Sequence, residues 1–164
     1  MKKNFSHSIL LLLAFWLLIA LVSCNPAAKY EKQEKEAISN YINEHPLDTF
    51  KLEASGLYYR QVSLGTGASP AIGDTAYIYY TGRFLDLSEF DTNVGGKMFK
   101  FPVGQGVVLQ GFDEGVYYMK QGGKAQFLIP SSLGYGSQGF YSIGGYTPLL
   151  YDVELVLVKP GTGK

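Results

Sequence analysis

The sequence contains few of the residues that most catalytic and metal sites require. It has one cysteine, Cys24, so no intrachain disulfide can form, and two histidines, of which only His45 lies beyond residue 23. A serine–histidine–aspartate site or a multi-histidine metal site therefore has almost nothing to use, and we expect neither a metal nor a cofactor. The 14 basic residues only balance the 14 acidic ones. Since nucleic-acid binding needs a basic surface, we expect no nucleic-acid partner.

The N-terminus has the features of a processing signal. Lys2 and Lys3 give a basic start, and the apolar run over residues 9–21 that follows is short for a membrane span. Small residues then precede the lone cysteine in Leu21-Val22-Ser23-Cys24, as in the bacterial lipoprotein cleavage box. This pattern predicts a signal peptide over residues 1–23 and a lipid on Cys24. An ordinary secretory signal with an unrelated cysteine is the alternative.

A lipid on Cys24 would place the protein in the bacterial cell envelope, held at a membrane. One acyl chain binds membranes only marginally, but the several chains expected for this class would hold firmly. Asn25 follows the cysteine, where some Gram-negative bacteria use aspartate for inner-membrane retention. We therefore favour the outer membrane, at its periplasmic face or at the cell surface. Without residues 1–23 the net charge is −2, because two lysines are lost and no acid is.

Residue patterns after the signal predict a tether and one small domain. In the tether, residues 24–55, the polar stretch 25–33 is expected to be flexible, and Glu34–His45 predicts a short helix that Pro46 ends. In the domain, residues 56–159, β-prone segments and one amphipathic helix, Val107–Met119, predict an antiparallel sheet with a helix on one face, an α+β fold. The predicted strands are Leu57–Val62, Thr75–Phe84, Met98–Val103, Lys124–Ile129 and Leu149–Val158. Pro102 in the third indicates an edge strand or a bulge.

Aromatic residues recur at fixed places between glycines in the predicted domain. In a core, the hydroxyls of Tyr80, Tyr135 and Tyr151 would need partners, and Asp91 would be a costly charge. A concave apolar pocket with polar groups at its rim explains this mixture better than packing alone. The motifs are Tyr79-Tyr80-Thr81-Gly82, Phe90-Asp91, Phe99-Lys100-Phe101, Gly111-Phe112-Asp113-Glu114-Gly115, Tyr135-Gly136 and Tyr151-Asp152-Val153-Glu154-Leu155.

This order of motifs resembles the FKBP-type peptidyl-prolyl isomerases, whose members carry Tyr-Thr-Gly, Phe-Asp, Phe-x-Phe, Gly-Trp-x-x-Gly, Tyr-Gly and Phe-Asp-Val-Glu-Leu along one domain. The resemblance covers residues 56–158. It implies an FKBP-like fold, in which an antiparallel half-barrel sheet wraps one short helix. It also implies peptidyl-prolyl cis-trans isomerase activity on proline-containing polypeptides, exercised by a monomeric domain.

The resemblance implies a role for each matching position. Phe112 would form the pocket floor. The Tyr135 hydroxyl and the Leu109 backbone N–H would hold the substrate carbonyls around the proline. Asp91 would sit at the rim, accept a hydrogen bond from Tyr80 and face the prolyl carbonyl. The expected catalytic residues are thus Asp91, Tyr135 and Tyr80, and the expected substrate-binding residues are Phe99, Val108, Leu109, Phe112, Ile143 and Tyr151.

Several neighbouring residues have plain structural interpretations. Phe101 alternates with Phe99 along a strand and is expected in the core, whereas Val108 and Leu109 could serve either packing or the pocket. The acids expected at the surface, beside the helix start or on the outer face of the last strand, are Asp113, Glu114, Asp152 and Glu154.

The sequence departs from the family pattern at three places. Phe112 replaces the usual tryptophan, which makes the floor smaller. No arginine follows Asp91 to pair with it, so Lys97 would have to compensate. In the loop over residues 136–148, the family's Ile-Pro-Pro becomes Ile143-Gly144-Gly145, a looser backbone. The aromatic residues added to this loop, which indicate a hydrophobic client, are Phe140, Tyr141 and Tyr146.

Three functions fit these patterns. We favour an isomerase anchored in the envelope that acts on proline-containing segments of envelope proteins. The alternative is a non-catalytic chaperone or scaffold that grips such segments with the same pocket. A third hypothesis is an accessory role in a surface machine, because a lipid anchor joined to this domain resembles the gliding-motility-associated FKBP-type lipoproteins.

Overall fold

The computed structural model describes residues 26–46 and 48–161. By compactness the chain divides into residues 1–32 and residues 33–164, and the described part of the first unit is the beginning of a helix. Within the described residues, no helix combines the length and apolar character that a membrane span needs. The predicted signal peptide and Cys24 lie outside the described residues.

The described residues form two α-helices, seven β-strands and one 3-10 turn. In chain order they are α1 (Pro26–Glu44), β1 (Lys51–Leu52), β2 (Tyr58–Ser63), β3 (Thr75–Arg83), β4 (Glu89–Thr92), β5 (Phe99–Pro102), α2 (Gln110–Tyr117), β6 (Lys124–Ile129), a 3-10 turn (Ser131–Leu133) and β7 (Leu149–Lys159).

The seven strands of the described residues form one antiparallel sheet in the order β1-β2-β6-β7-β3-β4. The longest strand, β7, pairs with β6 on one side and with β3 on the other. The other edge of β3 is shared, since β4 pairs with residues 81–83 and β5 with residues 75–78. Pro102 therefore lies in a strand that pairs with β3 alone, which agrees with the predicted edge position.

Helix α2 packs on one face of the sheet at very short range. Phe112 and Val116 are 4% and 0% exposed, and a Cβ added at Gly115 would come within 2.8 Å of the Phe127 ring. Strand alternation sends every second side chain toward this helix. The fully buried strand residues of this core are Ala76, Ile78, Phe127, Ile129, Leu149 and Leu155.

Helix α1 packs on the opposite face of the sheet through residues of its second half. Ile38 and Tyr41 are each 4% exposed and contact Leu128 and Leu150. The latter two alternate with the residues that face α2, so period-two geometry directs them to the other side. The sheet is thus covered by a helix on each face.

Residues 26–33, predicted to be a flexible tether, belong to helix α1. Pro26 is the first helical residue, where its fixed φ suits a helix and its missing N–H costs nothing. Ala27 and Ala28, followed by lysine, glutamate and glutamine, are strong helix formers. Low apolar content was therefore the wrong criterion for this stretch.

Helix α2 is shorter than the predicted Val107–Met119, because it begins only at Gln110. Leu109, with φ −54° and ψ 140°, precedes the helix in an extended conformation. Gly104 and Gly106 have φ of +72° and +64°, a left-handed geometry that glycine adopts readily and that keeps this approach out of the helix.

Asp113 is buried, contrary to the prediction of a surface acid. Its side chain is 7% exposed, and its carboxylate accepts hydrogen bonds from the backbone N–H groups of Gly104 at 2.7 Å and Gly106 at 3.3 Å. These inward N–H groups need an acceptor, which the loop's own backbone does not supply. The other acids expected at the surface, Glu114, Asp152 and Glu154, are partly exposed, the last two paired with Arg83 and Lys124.

Candidate active site

A cavity of about 450 Å³ opens between helix α2 and the concave side of strands β3, β4, β5 and β7. Its walls combine side chains from these elements with the loops before α2 and after the 3-10 turn. The residues that line it are Tyr80, Asp91, Phe99, Gly106, Val107, Val108, Leu109, Gln110, Phe112, Gly134, Tyr135, Phe140 and Tyr151.

The floor of the cavity is a set of aromatic rings in mutual contact. The Phe112 ring lies edge-to-face with Tyr151 at 5.0 Å and with Tyr80 at 5.9 Å between centroids. The Tyr80 ring also meets Phe99 at 6.0 Å. Edge-to-face pairs stabilise one another beyond simple burial, so the rings form a fixed apolar surface.

Asp91 stands at the rim and bonds to the floor. The Tyr80 hydroxyl donates to Asp91 Oδ2 at 2.6 Å, as the family resemblance implied. Burial, followed by this hydrogen bond and the charge of Asp91, raises the pKa of Tyr80 well above its usual range. Among the described residues, no lysine or arginine lies within ion-pair distance of Asp91, so Lys97 does not take the place of the family arginine.

Asn93 fixes the strand that carries Tyr80, a role that our sequence analysis missed. Its Oδ1 accepts from the Tyr80 N–H at 2.7 Å, and its Nδ2 donates to the carbonyls of Ile78 and Lys97 at 3.0 and 3.1 Å. Asparagine side chains commonly bond to nearby backbone groups in turns and loops. That was the available signal.

Tyr135 enters the cavity from the loop after the 3-10 turn. Its ring stacks on Phe140, with centroids 5.1 Å apart and planes at 6°. Burial and then the negative charge of Asp91 raise its pKa, while interaction with the Tyr151 hydroxyl partly lowers it. Its hydroxyl therefore stays protonated, a hydrogen-bond donor, at neutral pH.

Leu109 brings a second donor to the cavity from the start of α2. Its carbonyl accepts the first helical hydrogen bond, from the Asp113 N–H at 2.9 Å. Its own N–H has no acceptor within residues 26–46 and 48–161. Unpaired N–H groups at a helix start can bind the carbonyl of a ligand.

The cavity brings together eight of the nine site residues predicted in the domain: Tyr80, Asp91, Phe99, Val108, Leu109, Phe112, Tyr135 and Tyr151. Ile143 is placed elsewhere, because it is 7% exposed in the core and does not line the cavity. A β-bridge between Phe140 and Ile143 turns the loop so that Phe140 takes the rim position. Phe101 is 2% exposed, in the core as predicted.

Two features of this arrangement define its chemistry. The cavity offers an apolar aromatic surface with hydrogen-bond donors from Tyr135 and Leu109 on one side and the Asp91 carboxylate at the rim. Within the described residues, no group of three histidine, cysteine, aspartate or glutamate side chains is positioned to hold a metal ion. The site is built to surround a planar apolar group and to bind its polar edges.

Comparison with known proteins identifies the family. The sequence model of the FKBP-type peptidyl-prolyl cis-trans isomerase family matches residues 67–156. The FKBP-type isomerase FkpA of Aeromonas hydrophila is 40% identical over 136 residues, covering 78% of this chain, and FkpA of Escherichia coli is 35% identical, covering 82%. The chain belongs to the FKBP-type peptidyl-prolyl cis-trans isomerase family. It spans about half the length of these relatives, 50% and 48%.

Solved structures give the same fold. A peptidyl-prolyl cis-trans isomerase from Pseudomonas syringae is similar with a TM-score of 0.71 and 25% identity, over 84% of this chain and 99% of that one. The crystal structure of Escherichia coli FkpA is similar with a TM-score of 0.67 and 30% identity, over 97% of this chain and 75% of that one. The fold predicted from the motifs, an FKBP-like antiparallel sheet around a short helix, is confirmed.

Proposed function

We propose that this protein catalyses cis/trans isomerisation of peptide bonds that precede proline. The observation that carries the proposal is the cavity itself, where Phe112, Tyr151, Tyr80 and Phe99 form an apolar surface beside the Tyr135 hydroxyl. Family membership supports the same activity.

The chemistry needs no nucleophile. The barrier to rotation is about 18–20 kcal/mol and comes from amide resonance. The planar amide is more polar than its twisted transition state, so an apolar surface that excludes water favours the twisted form relative to solution. Each ~1.4 kcal/mol removed from the barrier gives a tenfold faster reaction. A hollow of aromatic rings with one or two aimed donors is therefore sufficient.

Each cavity group has a role in this proposal. The prolyl ring lies on Phe112, and the Tyr135 hydroxyl and the Leu109 N–H bind the carbonyls on either side of it. Asp91 orients the Tyr80 hydroxyl through their 2.6 Å hydrogen bond. Its carboxylate faces the carbonyl carbon of the bond that precedes the proline, which becomes more positive when twisting removes the amide resonance.

The loop at the rim supports a preference for apolar residues next to the proline. Phe140 is 52% exposed and Tyr141 94% exposed, with their rings edge-to-face at 4.5 Å beside Tyr135. Exposed rings contiguous with a binding cavity favour apolar partners. The clients we propose are therefore proline-containing segments with large apolar side chains.

We further propose that the protein works in the bacterial envelope, attached to a membrane by a lipid on Cys24, as a monomer. The support is the cleavage box before the only cysteine and the helix-forming stretch that follows it. Asn25 favours the outer membrane, and a role in a gliding or other surface machinery is compatible with that location.

We expect the full chain to accelerate the isomerisation of a proline peptide. Asp91→Ala and Tyr135→Phe should each reduce the isomerisation rate by about 10-fold or more. Loss of an aimed hydrogen bond of about 1.5–3 kcal/mol gives that size. The measurement is a proline-peptide isomerisation assay, with a leucine and with a glutamate before the proline, and we expect the leucine peptide to react faster.

The matched control is Tyr117→Phe, a hydroxyl deletion on the exposed side of α2, which should keep the full rate. A wild-type rate equal to the buffer rate would reject the proposed activity. If clients still bound under those conditions, with Asp91→Ala and Tyr135→Phe unaltered in binding, the non-catalytic chaperone function would replace it.

A further inference from the structure

A buried carboxylate of helix α1 holds the turn that precedes Tyr135. Glu34 is 9% exposed, and its two oxygens bind the same residue. Oε1 accepts from the Ser131 backbone N–H at 2.5 Å, and Oε2 accepts from the Ser131 hydroxyl at 2.7 Å. Both donors lie 97 positions away in the sequence, so the contact joins α1 to the first residue of the 3-10 turn.

The turn passes this constraint to the cavity through its own hydrogen bonds. The Ser131 carbonyl accepts from the N–H groups of Gly134 at 2.9 Å and Gly136 at 2.8 Å, the two residues on either side of Tyr135. The residue before the turn, Pro130, provides no side-chain cap. Glu34 therefore supplies an acceptor for the Ser131 N–H at the start of the turn. Because the Ser131 carbonyl binds the N–H groups of both neighbours of Tyr135, the position of Ser131 determines the position of Tyr135.

Docking of helix α1 does not explain a carboxylate at this position. Ile38 and Tyr41 already bury the helix against Leu128 and Leu150. Among residues 26–46 and 48–161, Glu34 has no lysine or arginine in ion-pair distance. A buried charge without a counterion is costly unless hydrogen bonds satisfy it, and an apolar residue would dock the helix at lower cost.

We propose that Glu34 is a positioning residue for the isomerase site: through Ser131 it fixes the turn that aims the Tyr135 hydroxyl into the cavity. This inference rests on the proposed function, because it assigns Tyr135 a role in the reaction. Through Glu34, helix α1 then positions part of the site, although it lies outside the segment that the family model matches, residues 67–156.

The first experiment measures turnover in a mutant cycle. Glu34→Ala in the full chain should lower kcat by about 10-fold, the size expected for charge-assisted hydrogen bonds, and change KM less than about twofold, because the aromatic walls keep their places. Glu34→Gln, which keeps one acceptor oxygen, should lose less. In a Tyr135→Phe background, Glu34→Ala should have no further effect on kcat, since the hydroxyl that it positions is gone.

The control is Glu31→Gln, an exposed glutamate of the same helix, which should leave kcat and KM unchanged. All variants are compared at a temperature where circular dichroism shows them folded. The inference is overturned if Glu34→Ala lowers kcat equally in both backgrounds, or if it lowers stability while kcat stays at the wild-type value.

The second experiment reads the turn directly by amide hydrogen exchange. In Glu34→Ala, the amides of Gly134 and Gly136 should exchange about 10-fold faster, whereas the β6–β7 ladder should keep its protection. Unchanged exchange at both glycines overturns the inference. This readout does not depend on activity, so an inactive wild-type protein rejects the proposed function, and the exchange rates still decide whether Glu34 holds the turn.

Discussion

Three tyrosines of the cavity have pKa values above that of a tyrosine in water. Burial is the largest cause for each of Tyr80, Tyr135 and Tyr151, and the negative charge of Asp91 adds to it. Because the charged form is disfavoured in the folded protein, all three act as neutral donors across the physiological range. Catalysis by these groups should therefore not depend on pH near neutrality.

At alkaline pH these same residues should limit stability. A folded-state pKa above the unfolded value of about 10 gives stability that is complete below pH ~10 and is lost as pH rises through the folded values. We expect the free energy of unfolding in urea to be level up to that pH and to fall above it. Ultraviolet absorbance of tyrosinate should show a late-titrating fraction in the native protein that is absent in denaturant.

Tyr80→Phe and Tyr151→Phe provide the controls, because each should remove part of the late fraction. Simultaneous ionisation of all tyrosines in the native protein would contradict the assigned burial.

At the residue scale, the tyrosine hydroxyls made the site recognisable in the sequence, since a buried hydroxyl needs a hydrogen-bond partner. Ile143, which the family resemblance put in the pocket wall, does not line the cavity, because a resemblance does not reveal which residue a bridged loop turns toward it.

Among the elements, helix α2 and strand β6 are in very close contact. Gly111 and Gly115 place the helix backbone against Ile129 and Phe127, and a Cβ at either glycine would approach those side chains to 2.7 and 2.8 Å. The Phe127 ring is fully buried. The glycines therefore set the depth at which α2 carries Phe112 into the cavity.

Gly115→Ala should lower the free energy of unfolding by about 1–2 kcal/mol net, because a Cβ 2.8 Å from the Phe127 ring should cost about 2–3 kcal/mol in overpacking. This cost should exceed the gain of about 1 kcal/mol from the better helix propensity of alanine. Denaturant unfolding measures it. The matched control, Gly144→Ala, should lie within about 0.5 kcal/mol of wild type, because the added Cβ meets only Thr147 at 3.5 Å. A Gly115→Ala protein as stable as wild type would show that the helix can move away.

Strands in which apolar and polar residues alternate clearly were predicted better from the sequence than segments without such a pattern. The predicted Lys124–Ile129 agrees with β6, and Thr75–Phe84 and Leu149–Val158 each differ from the observed strand by one residue at the end. By contrast, β1 and β4 were missed, because β1 has only two residues and β4 has a single apolar residue, so neither shows a periodic pattern. Asp113 was misread because its acceptor role depends on a loop that folds back onto the helix.

At the scale of the whole molecule, the lipid proposed on Cys24 would decide where the protein works. Cys24 is the only cysteine, so a thioether-linked lipid has a single possible site. Cys24→Ser should abolish incorporation of a labelled fatty acid and move the protein from the membrane fraction to the soluble envelope fraction. Labelling of cells followed by fractionation measures both.

The isomerase rate of the Cys24→Ser protein serves as the control, because the cavity residues are unchanged and its kcat should equal that of wild type. A wild-type protein found unlabelled in the soluble fraction would favour the ordinary secretory signal. Persistent labelling after the substitution would show that the label is not on Cys24. Neither localisation nor the client could be worked out beyond this point from the residues, because both depend on other molecules.

Because a helix packs on each face of the sheet, truncation of the protein at its N-terminal side should expose apolar surface. Cutting the gene at the start of the family-matched segment would delete α1, β1 and β2 together. Leu128 and Leu150 would then face water, and β6 would become a bare sheet edge open to another chain. Such a fragment should self-associate through this exposed edge. A low isomerisation rate of the fragment would then reflect aggregation and loss of structure, and not a poorly built cavity.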